Sequence, residues 1–121
     1  MTRQRDVGIY LVDCPLQRAL AWAGASLACS LADPFEDAGI LTYQVPDGAL
    51  IVFEIEPGVL DVWFNTATRP WDTSIACARA AATELDCTVM VDPGPEHPAP
   101  DDWLQVTPAG EKRVTWPDAD C

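Results

Sequence analysis

The sequence predicts one α+β domain, a mixed or antiparallel sheet of about six to seven strands with two helices on one face, in the order βα-βββ-α-βββ. Three observations predict it. Apolar residues recur at helical spacing in two windows. Around those windows lie short β-branched and aromatic runs, punctuated by Pro-Asp-Gly and Pro-Gly. Finally, 121 residues at 49% hydrophobic and 21% charged have the composition of a globular chain. A domain of this size builds a core without a disulfide or metal staple.

Residues 1–6 are expected to be a flexible start, and Val7 to Asp13 a first strand. Pro15 suits the first turn of a helix, where its missing N–H costs nothing. Leu16, Leu20, Ala23, Leu27 and Leu31 then form one buried stripe, with Trp22 at its margin in the core, until Asp33-Pro34 ends the helix. Gly39 to Val45, Ala49 to Glu56 and Val59 to Thr66 read as three strands, joined by Pro46-Asp47-Gly48 and Pro57-Gly58. Trp71 reads as a core residue at the entry to a second helix, capped by Asp72 or Thr73. Its stripe is Ile75, Ala78, Ala82 and Leu85, small enough for close approach to a sheet. Cys87 to Asp92 is a further strand, and residues 93–102 are an extended loop rich in proline and acid. Trp103 to Thr107 and Arg113 to Trp116 form a last hairpin, and 117–121 a tail.

Nineteen acidic residues face seven basic ones, a formal charge of -12. Residues 19–68 contain no Lys or Arg, and neither do residues 80–111. Such a field repels nucleic acid and anionic membranes and accelerates encounter with basic partners. The expected partner is therefore a protein with a basic surface. Five cysteines without a CxxC pair argue against a disulfide framework or zinc site and for free thiols in the cytoplasm. The uncharged run from Ala19 to Ala32 is too short to span a bilayer. His97 is the one histidine and sits in the proline-rich loop, no Ser or Cys stands in an elbow motif, and no phosphate-binding glycine loop is present. The expectation is a binding protein, without catalytic residues, metal or cofactor.

The hairpin around Pro57-Gly58 carries the sharpest expectation. A two-residue turn in unbroken register sets Glu54 opposite Asp61 and sorts Ile51, Phe53, Ile55, Leu60, Val62 and Phe64 onto a core face. Val52, Glu54, Glu56, Asp61 and Trp63 fall on the other. Facing carboxylates destabilise a sheet unless a cation meets them. That cation comes from a partner, or from Lys112 or Arg113 of the last hairpin, unless the turn shifts the register. Trp103, behind Asp101 and Asp102, is a second aromatic flanked by acids. Expected partner contacts are thus Glu54, Glu56, Asp61, Trp63, Asp101, Asp102 and Trp103.

The segment from Val59 to Gly94, VLDVWFNTATRPWDTSIACARAAATELDCTVMVDPG, resembles small immunity proteins of bacterial polymorphic-toxin systems, of the type VI secretion, Rhs or contact-dependent inhibition kind. There, a strand ending in aromatics leads through a short loop to an Ala-rich helix and then to a strand ending in Asp-Pro. The resemblance implies an inhibitor that binds a cognate nuclease- or deaminase-like toxin in the cytoplasm and occludes its active site. The alternative is an acidic secretion chaperone that binds an effector segment as a homodimer.

Overall fold

The structure is a computed structural model that describes residues 7–92 and 102–115. The predicted start 1–6, the loop residues 93–101 with His97 and Asp101, Trp116, and the tail 117–121 with Cys121 lie outside the described residues. The described residues form two helices and one antiparallel sheet of 8 strands: β1 Val7–Val12, α1 Leu16–Ser26, β2 Phe35–Asp37, β3 Ile40–Val45, β4 Gly48–Glu56, β5 Val59–Thr66, α2 Ser74–Leu85, β6 Thr88–Val91, β7 Asp102–Thr107 and β8 Gly110–Thr115. The sheet order is β2-β3-β4-β5-β1-β6-β7-β8, so the first strand is a central one. The α+β class holds, with one strand more than expected. That strand, β2, pairs with β3 across Ala38-Gly39, both at positive φ (54° and 83°), the geometry of a type I′ hairpin turn. Ala-Gly is a weaker turn signal than Asn-Gly, and a three-residue strand carries little pattern.

Alternation in β1 and β5 builds the core. Val7, Ile9 and Leu11 are fully buried and pair with Phe64, Val62 and Leu60. Leu50 and Val52 of β4 and Val89 and Val91 of β6 extend that face, and Cys77, Ala78, Ala81 and Ala82 of α2 pack onto it. The small residues let α2 lie close against β1 and β6, as the Ala-rich stripe predicted; Cys77 and Ala81 replace the half-buried Ile75 in it. Thr73 is the N-cap, its side chain accepting from the Ala76 N–H at 3.1 Å.

Helix α1 lies on the same side, held to α2 at two points. Arg18 donates to the Leu85 carbonyl at 2.8 Å, and Trp22 Nε1 donates to Glu84 Oε1 at 2.9 Å. Trp22, Trp71 and Phe64 form an aromatic cluster with centroids 5.0–5.8 Å apart, placing Trp22 and Trp71 in the core. The helix is shorter than the Leu16–Leu31 stripe suggested. Ala28 turns left-handed (φ 56°), and the Cys29 N–H returns to the Gly24 carbonyl at 3.0 Å, a Schellman stop. Leu31 folds back onto Gly24 instead of continuing the helix.

The register of the β4–β5 hairpin corrects the sequence expectation. Glu56 does pair with Val59, but a bulge at Ile55 then sets Glu54 opposite Leu60, Phe53 opposite Asp61 and Ile51 opposite Trp63. The two carboxylates therefore point to opposite faces. Ile51, Phe53 and the bulged, exposed Ile55 leave the core, and Leu50 and Val52 enter it. The cause is the turn: Pro57 followed by Gly58 at φ 86° is the type II pattern, whose twist does not match that of paired strands. One extra residue restores the twist.

Candidate functional site: the open face of the sheet

An antiparallel sheet covered on one side usually alternates apolar inward and polar outward. The central strands here do not. Away from the helices, β1 presents Tyr10 and Val12, β4 presents Ile51 and Phe53, β5 presents Val59, Asp61 and Trp63, and β6 presents Met90. One row across five hydrogen-bonded neighbours reads Asp61, Tyr10, Met90, Gln105, Lys112, with Phe53 flanking Asp61 on the other side. A second row joins Phe35, Thr42, Ile51, Trp63 and Gly8. Phe35 is 71% exposed and Ile40 and Trp63 each 38%. Neither helix packs on this face; Tyr10, Ile51 and Phe53 are half-buried on it, whereas Val59 and Met90 are buried. Apolar surface left exposed around them makes the face a candidate binding surface.

Among its central strands is a shallow pocket of about 360 Å³ bounded by Gly8, Tyr10, Asp61, Trp63, Asp92 and Trp103, and by Ser74 at the start of α2, whose Oγ accepts from the Gly8 N–H at 3.1 Å. Tyr10 and Trp103 meet edge to face, centroids 5.5 Å apart. Asp61 is half-buried between Phe53 and Tyr10, and burial holds its carboxyl above the usual carboxylate range. The Tyr10 phenol is raised too, first by burial and then by the Asp61 charge beside it. No ion pair to Asp61 exists among the described residues. Lys112 shares its row but stands four strands away, roughly 19 Å at sheet spacing. Arg113 pairs with Leu104 on the helix face. Arg18 is committed to a backbone carbonyl, as is Arg69 through Thr66, and Arg79 to Glu111 at 2.6 Å. The last hairpin therefore supplies no cation to Asp61.

The expected contact residues divide. Asp61, Trp63 and Trp103 converge on this pocket, and Glu56 lies on the same face at the hairpin end, opposite Val59. Glu54 lies on the helix side, where it accepts from the Gly58 N–H at 3.1 Å and borders a separate cavity of about 470 Å³ with Asp13, Leu41, Val52 and Leu60. The Asp102 backbone opens β7, and Asp101 is outside the described residues. Tyr10, Ile51, Phe53 and Met90 were missed. Their signal was the unbroken apolar run Ala49 to Phe53 and the likewise apolar β1, since a strand apolar on both faces expects cover on both.

The rest of the molecule has little reactive chemistry among the described residues. Cys14, Cys29, Cys77 and Cys87 are free. Burial raises the Cys14 and Cys77 thiols and, with Cys14 beside it, pushes Cys87 up to about 12, so these three stay protonated and weakly nucleophilic at neutral pH. Among the described residues no group of three or more His, Cys, Asp or Glu is placed to hold a metal, and no helix is long and apolar enough to cross a membrane. No family model, curated protein or solved structure matches the chain.

Proposed function

We propose that this chain is an immunity-type inhibitor, a small binding domain that neutralises a basic, nuclease- or deaminase-like toxin by laying the open face of its sheet over the toxin's active site. The observation that carries the reading is the helix-free face itself, aromatic and aliphatic around a half-buried Asp61. Eight strands at about 4.8 Å spacing and roughly 20 Å of strand length give a face of roughly 700 Å². That approaches the roughly 800 Å² each partner contributes to a standard interface. The charge of -12 supplies the sign of the partner and argues against direct binding to nucleic acid or anionic membrane. Free thiols fit action in a reducing cytoplasm.

The test is co-expression in a bacterial host with the product of the adjacent reading frame. A growth arrest relieved by this chain, together with a complex that Trp63→Ala weakens, supports the reading. An adjacent product that this chain neither binds nor silences defeats it.

One observation favours the chaperone reading. Phe35, the most exposed large apolar residue described, sits on edge strand β2, where a second copy could pair. Sedimentation separates the two, since a stable homodimer that Phe35→Ser dissociates belongs to the chaperone.

A further inference from the structure

We propose that the pocket around Asp61 is a socket for one arginine side chain of the partner protein, its guanidinium lying against Trp63, Tyr10 and Trp103 and hydrogen-bonding the Asp61 carboxylate. This rests on the reading of the open face as the docking surface and names the chemistry of its centre.

Three features converge on that occupant. The first is charge: a partly buried carboxylate, with no cation bonded to it among the described residues, is stabilised most by a positive group brought from outside. The second is the walls. Tyr10 and Trp103 stand at 87° to one another, so ring face and ring edge make a corner, and Trp63 stands beside Asp61 two residues along β5. A flat cation stacks on such a ring face within about 6 Å of its centroid. The third is the floor. Gly8 pairs with Trp63, and a Cβ built there would come no nearer than 4.0 Å to any neighbouring atom, so the missing side chain leaves depth beside the indole.

Arginine fits these features better than lysine. A guanidinium is planar and weakly hydrated, and can stack while giving two N–H groups to one carboxylate. An ammonium is a hydrated point charge that loses more water on entering an aromatic corner.

The socket is tested on the full chain, ¹⁵N-labelled, by following the indole N–H signals of Trp63 and Trp103. The probes are acetyl-Gly-Arg-Gly-amide, its lysine counterpart, and its citrulline counterpart of equal shape and no charge. Saturable shifts of both indoles with the arginine peptide are expected, weaker by about threefold or more with lysine and absent with citrulline. Asp61→Asn should reduce arginine affinity by about tenfold, with unchanged backbone signals elsewhere showing that it folds. Equal responses to arginine and citrulline, or an unaltered affinity in Asp61→Asn, would overturn the socket. So would a response that appears only after Arg3 and Arg5 are both replaced by Ala, because the chain's own cations would then be the occupant. The wider reading fails separately: if Trp63→Ala leaves the toxin complex intact, the open face is not the interface, whatever the peptides do.

Discussion

At the scale of single residues, Asp61 and the tryptophans separate binding from stability. Burial raises the Asp61 carboxyl, so the folded state holds that proton more tightly than the unfolded chain does. Its contribution is full below the unfolded carboxylate range, about pH 3.9, and is lost as pH rises through the folded value. Glu111 has the opposite sign: its bond to Arg79 lowers its pKa, so its contribution fades as pH falls through the folded value. Both act in the acidic range, so the difference between Asp61→Asn and the parent isolates Asp61, with Tyr10 and Asp92 the other titratable groups lining its pocket. Asp61→Asn should be more stable at neutral pH by up to about 1 kcal/mol, a small figure because the side chain is only partly buried and still meets water. The advantage should shrink toward pH 4. Urea melts across pH 4–7 check it, and an advantage that grows on acidification would refute the burial account. The tryptophans give a sharper contrast. Trp71→Ala removes a buried ring stacked on Trp22 and should cost about 3–5 kcal/mol. Trp63→Ala, at 38% exposure, should cost less than about 2 kcal/mol while damaging partner binding most.

At the scale of elements, two turns make quantitative statements. Ala28 closes α1 in a left-handed conformation that a Cβ disfavours, so Ala28→Gly should gain about 0.5–1 kcal/mol in a denaturant melt. Gly48 is the reverse case. A Cβ there would fall 2.0 Å from the Asn65 carbonyl oxygen and 2.8 Å from Thr66 Cα, both backbone atoms, so Gly48→Ala should cost about 1–3 kcal/mol and disturb the β4–β5 register, visible as lost amide protection in that hairpin. These elements also mark what the sequence could tell. β1, β5 and α2 were legible for different reasons: β1 as a β-rich apolar run, β5 by the alternation of Leu60, Val62 and Phe64, and α2 by Ala78, Ala82 and Leu85 at helical turns behind a cap at Asp72 or Thr73, which Thr73 supplies. The end of α1 was not, because Leu27 and Leu31 keep helical spacing while the chain reverses at Ala28. The register of β4 was not either. Ala49 to Phe53 is apolar at every position, so no alternation distinguishes one register from the next, and a single bulge at Ile55 decides which side chains face the core. For the candidate site this had a direct consequence. Asp61, Trp63 and Trp103 were found from charge and aromaticity, but the pairing of Asp61 with Glu54 was not formed, and Tyr10, Ile51 and Phe53 appeared only once the strands were aligned.

At the scale of the whole molecule, the bulge provides a test of which face would meet the proposed basic partner. Glu54 and Asp61 are on neighbouring strands, one register step apart, and project to opposite sides of the sheet. Glu54→Lys and Asp61→Lys change the net charge of -12 by the same two units, so long-range attraction to a basic partner weakens about equally in both. What differs is proximity to the contact. If the open face docks, Asp61→Lys sets like charge against like charge inside the interface and should lower the association rate and raise the dissociation rate. Glu54→Lys, across the sheet, should affect association alone and only at low salt. For the parent chain, the association rate should fall by about tenfold or more between 20 mM and 500 mM salt as the Debye length shrinks from roughly 20 Å to 4 Å, with dissociation little changed. Stopped-flow measurements at two salt concentrations on the three proteins, each first shown folded by circular dichroism, resolve these rates. Equal effects of the two reversals would mean that only net charge is felt and that the aromatic face lies outside the contact; a larger effect of Glu54→Lys would move the interface to the helix side, beside the cavity that Glu54 borders.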